Sequence, residues 1–588
     1  MIRGRIASEL TSRWIASLLI YLAISVVIFS SAWVDPDHLS IGVYGDPQMF
    51  MWAFNWTPFA LSHHLNPFFT DYLNYPTGAN ELWMALPAIP GLLLAPVQRL
   101  FGPVVAYDLL MTLAPALSAW LAQVVIARLV RDRLAAFFGG LLYGFSPYML
   151  AHALAHANFV IAVFPPLAML LLADLFVWQR HRPWVPGSAL GLLAAAQLLT
   201  CAELLLTTVA TAVIGLVLLA AVRRHEVRKH LPNGAAGIGF AAAVALPVAA
   251  YPLYFQFFGP LRISGTIRPH DFYVTDITNF FVPTSVIWLA PHAAVELTQR
   301  WTGNIVEWNG YVGLPLIAIL AFTAYRWRSR PLVIWSTAMC VGIALLSLGP
   351  HAHIAGRTIN HLPLPWLVAQ SLPLFDNVLP ARLMLFFFLT AGILLAFFIA
   401  ELRASPGVRG TLFWTSVVAA LLLLVPRLPW PATSNPVPVF FTEHTVQLVP
   451  EGSVALVAPF ATNIGYHTAA AGKTSGDAMT WQMVSGMRFR MPEGYVEVPG
   501  PNGKASLGGP LDSLTESTML AIQDGASAPT LTDNLRSGLL ADLTRWKVRT
   551  VIVGPMANQG EMVRLFASLL EREPEAVGGV FVWWDVQT

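Results

Sequence analysis

Long apolar runs recur through the first three quarters of this chain, and they restrict it to a membrane fold. A helix of about 20 residues, rising about 1.5 Å per residue, crosses a hydrocarbon core of about 30 Å. The chain is 56% hydrophobic and 11% charged, more apolar than one water-soluble core can bury. The runs lie at 14–33, 104–130, 134–151, 158–178, 186–202, 204–222, 234–257, 311–326, 331–349, 383–402 and 410–426. The sequence therefore predicts a polytopic α-helical membrane protein with about eleven transmembrane helices.

Basic residues predict which loops face the cytoplasm, because short cytoplasmic loops collect Lys and Arg. Arg3, Arg5 and Arg13 precede the first run and indicate a cytoplasmic N-terminus. Further clusters follow each even-numbered run: Arg128, Arg131 and Arg133; Arg180 and Arg182; Arg223, Arg224, Arg228 and Lys229; Arg326, Arg328 and Arg330; Arg403 and Arg409. The pattern predicts a multi-pass protein of the cytoplasmic (inner) membrane.

The first outer loop, 34–103, combines acidic residues with an absence of basic ones. No Lys or Arg lies between Val34 and Gln98, whereas Asp35, Asp37, Asp46, Asp71 and Glu81 do. The end of this loop, 86–101, is apolar and rich in Pro and Gly. We expect it to form an interfacial helix on the outer leaflet, with a short membrane span as the alternative.

The composition changes after Pro426, where apolar runs stop. Strand-like runs at 453–460, 549–556 and 578–586 alternate with helical patterns at 533–546 and 561–573. This predicts two domains: a transmembrane domain over 1–426 and an extracytoplasmic α/β domain over 427–588.

Charge and cysteine content exclude several classes of function. The formal net charge of +2 comes from basic residues spread over loops, so no nucleic-acid partner is expected. Cys201 and Cys340 both lie in apolar stretches, which gives neither a disulfide framework nor a Cys-based metal site.

The order of features resembles a known group of membrane enzymes. One span precedes a long acidic outer loop, which runs into GPVVAYDLLMTLAPALSAWLAQVVIARLV and AAFFGGLLYGFSPYML. Over about the first 260 residues this layout resembles the GT-C superfamily of glycosyltransferases, which take sugars from polyprenyl-phosphate donors. The resemblance implies an acidic catalytic base in the first outer loop, and Asp46 in VYGDPQMFMWAFNW is the matching position. Many members carry an adjacent acidic pair, whereas this chain has Gly45-Asp46-Pro47, which leaves open whether a second acid comes from elsewhere.

Other residues near Asp46 are candidates for substrate contacts. Asp46 itself could simply begin a helix, since Asp before Pro suits a helix N-terminus. Trp52 on that helix could stack on a sugar or lie at the membrane interface. Asp71 and Asn74, in NPFFTDYLNYPTGAN, could line an acceptor site or form a turn.

Ionisable residues near the ends of spans suggest a second group of contacts. Asp108 and Glu203 are expected at outer ends, where both could face one cavity. His152 and His156 are four residues apart and could bind a divalent metal together with Asp46, Asp108 or Glu203. The alternative is that they are hydrogen-bonding groups, so the sequence predicts a possible divalent metal but no certain cofactor.

Cations are rare on the outer face, and one has a favourable position. Arg382 lies where an outer loop re-enters the membrane, so it could bind the donor phosphate or reach the interface as a snorkelling side chain. Arg268 could assist it. His270 and Asp271 could close over the sugar or belong to a solvated loop.

The leading hypothesis is a hexosyl- or pentosyltransferase that uses a polyprenyl-phosphate-linked sugar and an extracytoplasmic glycan, lipid or protein acceptor. A transporter or flippase of lipid-linked glycans is one alternative, although it would typically contain two related halves. A non-catalytic membrane scaffold is another. The expected partners are the lipid-linked donor, the acceptor and membrane lipids.

Overall fold

A computed structural model describes residues 2–43, 45–84, 86–404, 408–462, 476–500, 503–507 and 513–586. The chain divides into two compact units, each assembled from three stretches. The first unit comprises Met1–Ser31, Leu109–Ala250 and Thr266–Pro431, and the second comprises Ala32–Asp108, Tyr251–Gly265 and Ala432–Thr588.

The first unit is built from helices. Its longer helices are Ile2–Ile28, Arg133–Gly144, Phe164–Ala173, Trp184–Leu198, Ala202–Val222, Leu314–Arg326, Pro331–Ser347, Met384–Arg403 and Val408–Leu422. Two more, Ala88–Val130 and Arg224–Phe258, belong in part to each unit. A short β-hairpin, His351–Ile354 with Arg357–Pro363, lies in its loops.

Six helical segments of the described chain are long and apolar enough to cross a membrane. They are Ala88–Val130, Arg133–His152, Ala157–Trp178, Ala202–Val222, Arg224–Phe258 and Pro380–Arg403. Five further apolar helices are shorter: Ser12–Ile28, Trp184–Leu198, Leu314–Arg326, Pro331–Ser347 and Phe413–Leu422. The predicted helical membrane architecture is confirmed, whereas eleven spans and their sidedness stay predictions.

Gly102 divides the helix Ala88–Val130 into two parts. Its backbone angles, φ 87° and ψ 168°, are non-helical, although helical structure continues on both sides. Glycine reaches this φ without a steric penalty, and the following Pro103 disfavours helical ψ at the preceding residue. The predicted helix over 86–101 and the predicted span over 104–130 are therefore separated at a Gly-Pro step.

A close approach of two backbones packs the centre of the first unit. A Cβ atom added to Gly139 would lie 2.5 Å from the carbonyl oxygen of Gly392, and one added to Gly392 would lie 2.7 Å from that of Gly139. Small residues allow apolar helices to pack this closely. The helix Met384–Arg403 is thereby fixed against Arg133–Gly144, and Arg382 lies just before its first residue.

The second unit contains a four-stranded mixed sheet. The strands follow the order Glu575–Val577, Val580–Trp583, Val548–Val553 and Val454–Ala458, and only the last two are parallel. Helices Leu514–Gln523, Asp533–Trp546 and Gln559–Leu570 surround a core that includes Leu456, Leu543 and Phe566. These strands and helices lie close to the predicted places because β-branched runs and amphipathic patterns determine them locally.

The same unit contains the first loop and its helix Asp46–Ser62. Strand Leu39–Ile41 pairs antiparallel with Ala432–Ser434, and helix Asp477–Val484 packs on Asp46–Ser62. Residues 432–588 thus share one compact unit with residues 32–108. An independent extracytoplasmic domain over 427–588 stays a prediction.

Candidate functional site

Asp46 is the first residue of the helix Asp46–Ser62. Gly45, with φ 104°, precedes it as the cap, and its backbone N–H donates to Gln48 Oε1 at 2.9 Å. The Asp46 carboxylate is buried and accepts a hydrogen bond from the hydroxyl of Tyr495. Asp46 therefore lies in the first helical turn, where unpaired backbone N–H groups stabilise negative charge.

Trp52 lies six residues after Asp46 on this helix, in the interior of the unit. Its side chain is 1% exposed and stacks on Trp56 with ring centroids 5.4 Å apart. Its indole N–H donates to Gln482 Oε1 at 2.6 Å. These contacts fix the helix against the C-terminal segment, and sugar stacking by Trp52 stays a prediction.

The loop residues Asp71 and Asn74 make different kinds of contact. Asp71 Oδ2 lies 3.4 Å from Arg490 Nε, and its side chain is 35% exposed. Asn74 is buried with φ 55°, and its amide donates to the carbonyl of Gly78 at 2.9 Å. The structure thus has Asn74 in a turn, and acceptor binding by either residue stays a prediction.

Two acids of the second unit are buried without a cationic partner in the described residues. Asp108 Oδ1 accepts the backbone N–H of Ile41 at 2.8 Å, and its Oδ2 has no hydrogen-bond partner there. Glu81 is 2% exposed, and desolvation raises the pKa of its carboxyl to about 8. Glu81 therefore carries a proton at neutral pH and is a poor candidate for a base.

Arg382 lies between two glutamates in the first unit. Its Nε and Nη2 donate to Glu307 Oε1 at 2.9 and 2.6 Å, and its Nη1 donates to Glu203. The backbone N–H of Leu379 also donates to Glu203, at 3.2 Å. The guanidinium lies 4.2 Å above the ring centre of Phe159. Two carboxylates thus surround one guanidinium, a formal excess of one negative charge, and Arg382 is already bound within the protein.

The predicted histidine pair belongs to the same group. His152 Nδ1 and His156 Nδ1 are 3.1 Å apart, and Glu307 Oε1 lies 3.5 Å from His156 Nδ1. Glu307 Oε2 lies 4.0 Å from His152 Nε2, which is also 3.4 Å from the amide of Asn309. Glu307 is therefore the carboxylate beside the pair, and it was not among the three acids that the sequence suggested.

Sequence reasoning missed three of these residues. Glu307 and Asn309 lie in the loop GNIVEWNG, where a single acid between apolar residues is the available signal. Tyr495 lies far along the chain from Asp46, so spacing gives no indication of their contact. Such pairings depend on tertiary structure.

The predicted cluster around Arg268 is divided among separate partners. His270 Nε2 contacts the backbone carbonyl of Asp376 at 3.1 Å, and Asp271 Oδ2 lies 2.9 Å from His351 Nδ1. Arg268 Nη1 donates to a neighbouring backbone carbonyl at 3.3 Å. Phosphate binding by Arg268 and sugar contacts by His270 and Asp271 stay predictions.

Comparison with known proteins supports the fold. No curated protein matches the chain in sequence. Among solved structures, the arabinofuranosyltransferase AftD from Mycobacteria is 15% identical with a TM-score of 0.55, over 93% of this chain. This chain spans only 37% of the length of AftD. The oligosaccharyltransferase of Archaeoglobus fulgidus, tethered with an acceptor peptide, is 12% identical with a TM-score of 0.44, covering 92% of this chain and 68% of that one.

A third structure, ArnT from Cupriavidus metallidurans bound to undecaprenyl phosphate, is 12% identical with a TM-score of 0.41 and covers 99% of both chains. The likeness to AftD shows that this chain has the GT-C fold, as its resemblance to that superfamily indicated. A family model described as "Domain of unknown function (DUF6311)" matches residues 18–425, more than half of the chain. The chain therefore belongs to the DUF6311 family.

Proposed function

We propose that this protein is an integral membrane glycosyltransferase that moves a sugar from a polyprenyl-phosphate donor to an acceptor outside the cytoplasmic membrane. Its GT-C fold and its six long apolar helices support a membrane-bound transferase. The observation that carries the proposal is a buried aspartate, Asp46, in the first turn of a helix of the first loop.

Asp46 acts as the general base in this proposal. An acceptor hydroxyl oxygen attacks the anomeric carbon of the donor sugar, and its proton passes to the Asp46 carboxylate. The bond between that carbon and the phosphate oxygen breaks, and the bonding electrons leave with the polyprenyl phosphate. The Tyr495 hydroxyl bonded to Asp46 supports this role, because a hydrogen bond orients the carboxylate.

Arg382 binds the donor phosphate in the same proposal, with Arg268 as a second cation. A guanidinium suits phosphate because its N–H groups form a planar fork. Glu203 and Glu307 orient Arg382 and hold it in its buried position. Among the proposed substrate contacts, Asp71 and Asp271 have the most exposed carboxylates, 35% and 41%.

The test uses the full chain, purified in detergent and supplied with labelled polyprenyl-phosphate hexoses and pentoses and a panel of glycan, lipid and peptide acceptors. Asp46→Asn is expected to lower the transfer rate at least about a hundredfold, since general base catalysis contributes about 10²–10⁴-fold. Asp37→Asn is the matched control, because Asp37 is an exposed acid of the same loop. It is expected to keep the wild-type rate.

Each outcome has a definite meaning once the variants are shown to be folded by their elution volume and thermal midpoint. A folded Asp46→Asn protein with wild-type activity would contradict the assignment of the base. The same protein is also reconstituted into lipid vesicles. Movement of the donor lipid from one leaflet to the other, without formation of product, would identify a transporter instead. If neither product nor movement occurs with any donor, the enzyme proposal fails and a scaffold becomes the better explanation.

A further inference from the structure

The group around Arg382 has a charge imbalance in a buried setting. The side chains of Arg382, Glu203 and Glu307 are 13%, 21% and 2% exposed, so water screens them little. One guanidinium faces two carboxylates, and two histidines lie beside the more buried carboxylate. A second cation would balance this group, whereas an anion would be repelled by it.

The spacing of three side chains matches the ligand set of a single metal ion. One ligand atom each from His152, His156 and Glu307 lies within 4.8 Å of the others. Two ligands that each bind one ion at about 2.0–2.2 Å, with tetrahedral or octahedral angles, lie about 3.0–3.5 Å apart. The two Nδ1 atoms are 3.1 Å apart, and Glu307 Oε1 is 3.5 Å from His156 Nδ1.

Glu307 provides a second observation that points to a ligand. Its Oε1 accepts both hydrogen bonds from Arg382, whereas its buried Oε2 has no hydrogen-bond partner within the described part of the chain. Leaving a buried carboxylate oxygen without a partner is unfavourable, because the oxygen loses its bonds to water and gains none in exchange. A cation that binds the two Nδ1 atoms and both oxygens of the Glu307 carboxylate would satisfy Oε2, while Oε1 keeps its bonds to Arg382.

Asn309 gives His152 a suitable orientation for metal binding. Its amide lies 3.4 Å from His152 Nε2, and its Oδ1 has no partner among the described residues. Turning the amide by 180° directs Oδ1 at the Nε2–H of His152, because nitrogen and oxygen are assigned from such contacts. A proton on Nε2 leaves the lone pair of Nδ1 for a metal.

We propose that His152, His156 and Glu307 bind one divalent cation of the Zn²⁺ type. Two imidazoles and one carboxylate form a ligand set that Zn²⁺ and Co²⁺ prefer, and three protein ligands leave a position open. The ion adds two positive charges beside the two carboxylates and the guanidinium. The role of the ion rests on the proposed function: together with Arg382, it attracts the donor phosphate.

The experiment measures metal binding, so its result does not depend on transferase activity. The full chain is purified in detergent through a tag without histidine, stripped with chelator and titrated with Co²⁺, whose visible absorption reports nitrogen and oxygen ligands. One equivalent of Co²⁺ is expected, displaced by Zn²⁺. His156→Gln and Glu307→Gln are each expected to weaken binding at least about tenfold, the lower limit known for loss of an outer-shell partner.

His292→Gln is the matched control. His292 Nδ1 also lies 3.2 Å from a glutamate, Glu296, but its side chain is 89% exposed and lies outside the group. It is expected to bind Co²⁺ as the wild type does. Glu307→Gln also alters the bonds to Arg382, so this variant could fail to fold. In that case the Co²⁺ affinity of His156→Gln decides the test. The proposal is overturned if the wild type binds no Co²⁺, or if folded His156→Gln binds it with wild-type affinity.

Discussion

Glu81 gives the most quantitative prediction of the structure, because it is a buried acid whose ionisation opposes folding. Burial raises the pKa of its carboxyl from 4.5 to about 8 in the folded protein. Between these pH values the unfolded chain is ionised while the folded protein keeps its proton. The protonated Glu81 therefore makes its full contribution to the free energy of unfolding below pH 4.5. That contribution is lost as the pH rises to about 8.

The magnitude follows from linkage. Each pH unit in this range lowers the free energy of unfolding by about 1.4 kcal/mol, which amounts to about 4 kcal/mol between pH 5 and pH 8. Glu81→Gln removes the ionisation, although it adds an amide that is buried at every pH. Its free energy of unfolding relative to wild type is therefore expected to rise by about 4 kcal/mol over that range.

The assay compares urea unfolding of wild type, Glu81→Gln and Glu573→Gln in one detergent, followed by tryptophan fluorescence from pH 5 to pH 8. Glu573 is exposed, so its variant is expected to follow the wild type. Infrared spectra give a direct check, since the protonated carboxyl stretch of Glu81 should disappear near pH 8 and be missing in Glu81→Gln. Parallel pH dependence of wild type and Glu81→Gln would refute the reasoning.

Two further predictions concern Tyr495 and Gly139. Tyr495→Phe removes the hydrogen bond to Asp46, worth about 1.5–3 kcal/mol to a charged group, so the transfer rate is expected to fall between about tenfold and a hundredfold without loss of protein. A wild-type transfer rate in Tyr495→Phe would show that catalysis does not depend on this hydrogen bond. Gly139→Ala forces a Cβ against the carbonyl of Gly392 and is expected to lower the free energy of unfolding by about 1–3 kcal/mol. The measurement is a lower thermal midpoint. Gly342→Ala, whose Cβ would meet nothing within 4 Å, should not lower it, and equal midpoints would contradict the packing argument.

The features that could be predicted from sequence are those that a local pattern determines. Apolar runs predicted the long helices, and an amphipathic repeat predicted the helix Asp533–Trp546 close to its observed ends. The spacing of His152 and His156 predicted that they lie together, and they do, although one helix ends at His152 and His156 caps the next. Each of these depends on residues only a few positions apart.

The features that could not be predicted depend on contacts between distant stretches. Glu307 reaches His156 across about 150 residues of chain, and Tyr495 reaches Asp46 across a separation of 449 residues. A single sequence contains no signal that selects these partners from other acids and tyrosines. The engagement of Arg382 by two glutamates was hidden for the same reason.

Gly102 has a consequence for how its helix can be altered. A Cβ atom there would meet nothing within 4 Å, so the glycine is required by its torsion angle and not by crowding. An L-alanine would be strained by about 1–3 kcal/mol at these angles, whereas a D-alanine introduced by semisynthesis adopts positive φ without strain. The bend at this step is therefore a matter of handedness, encoded by two adjacent residues, and a mirror-image side chain should preserve it where a natural one distorts it.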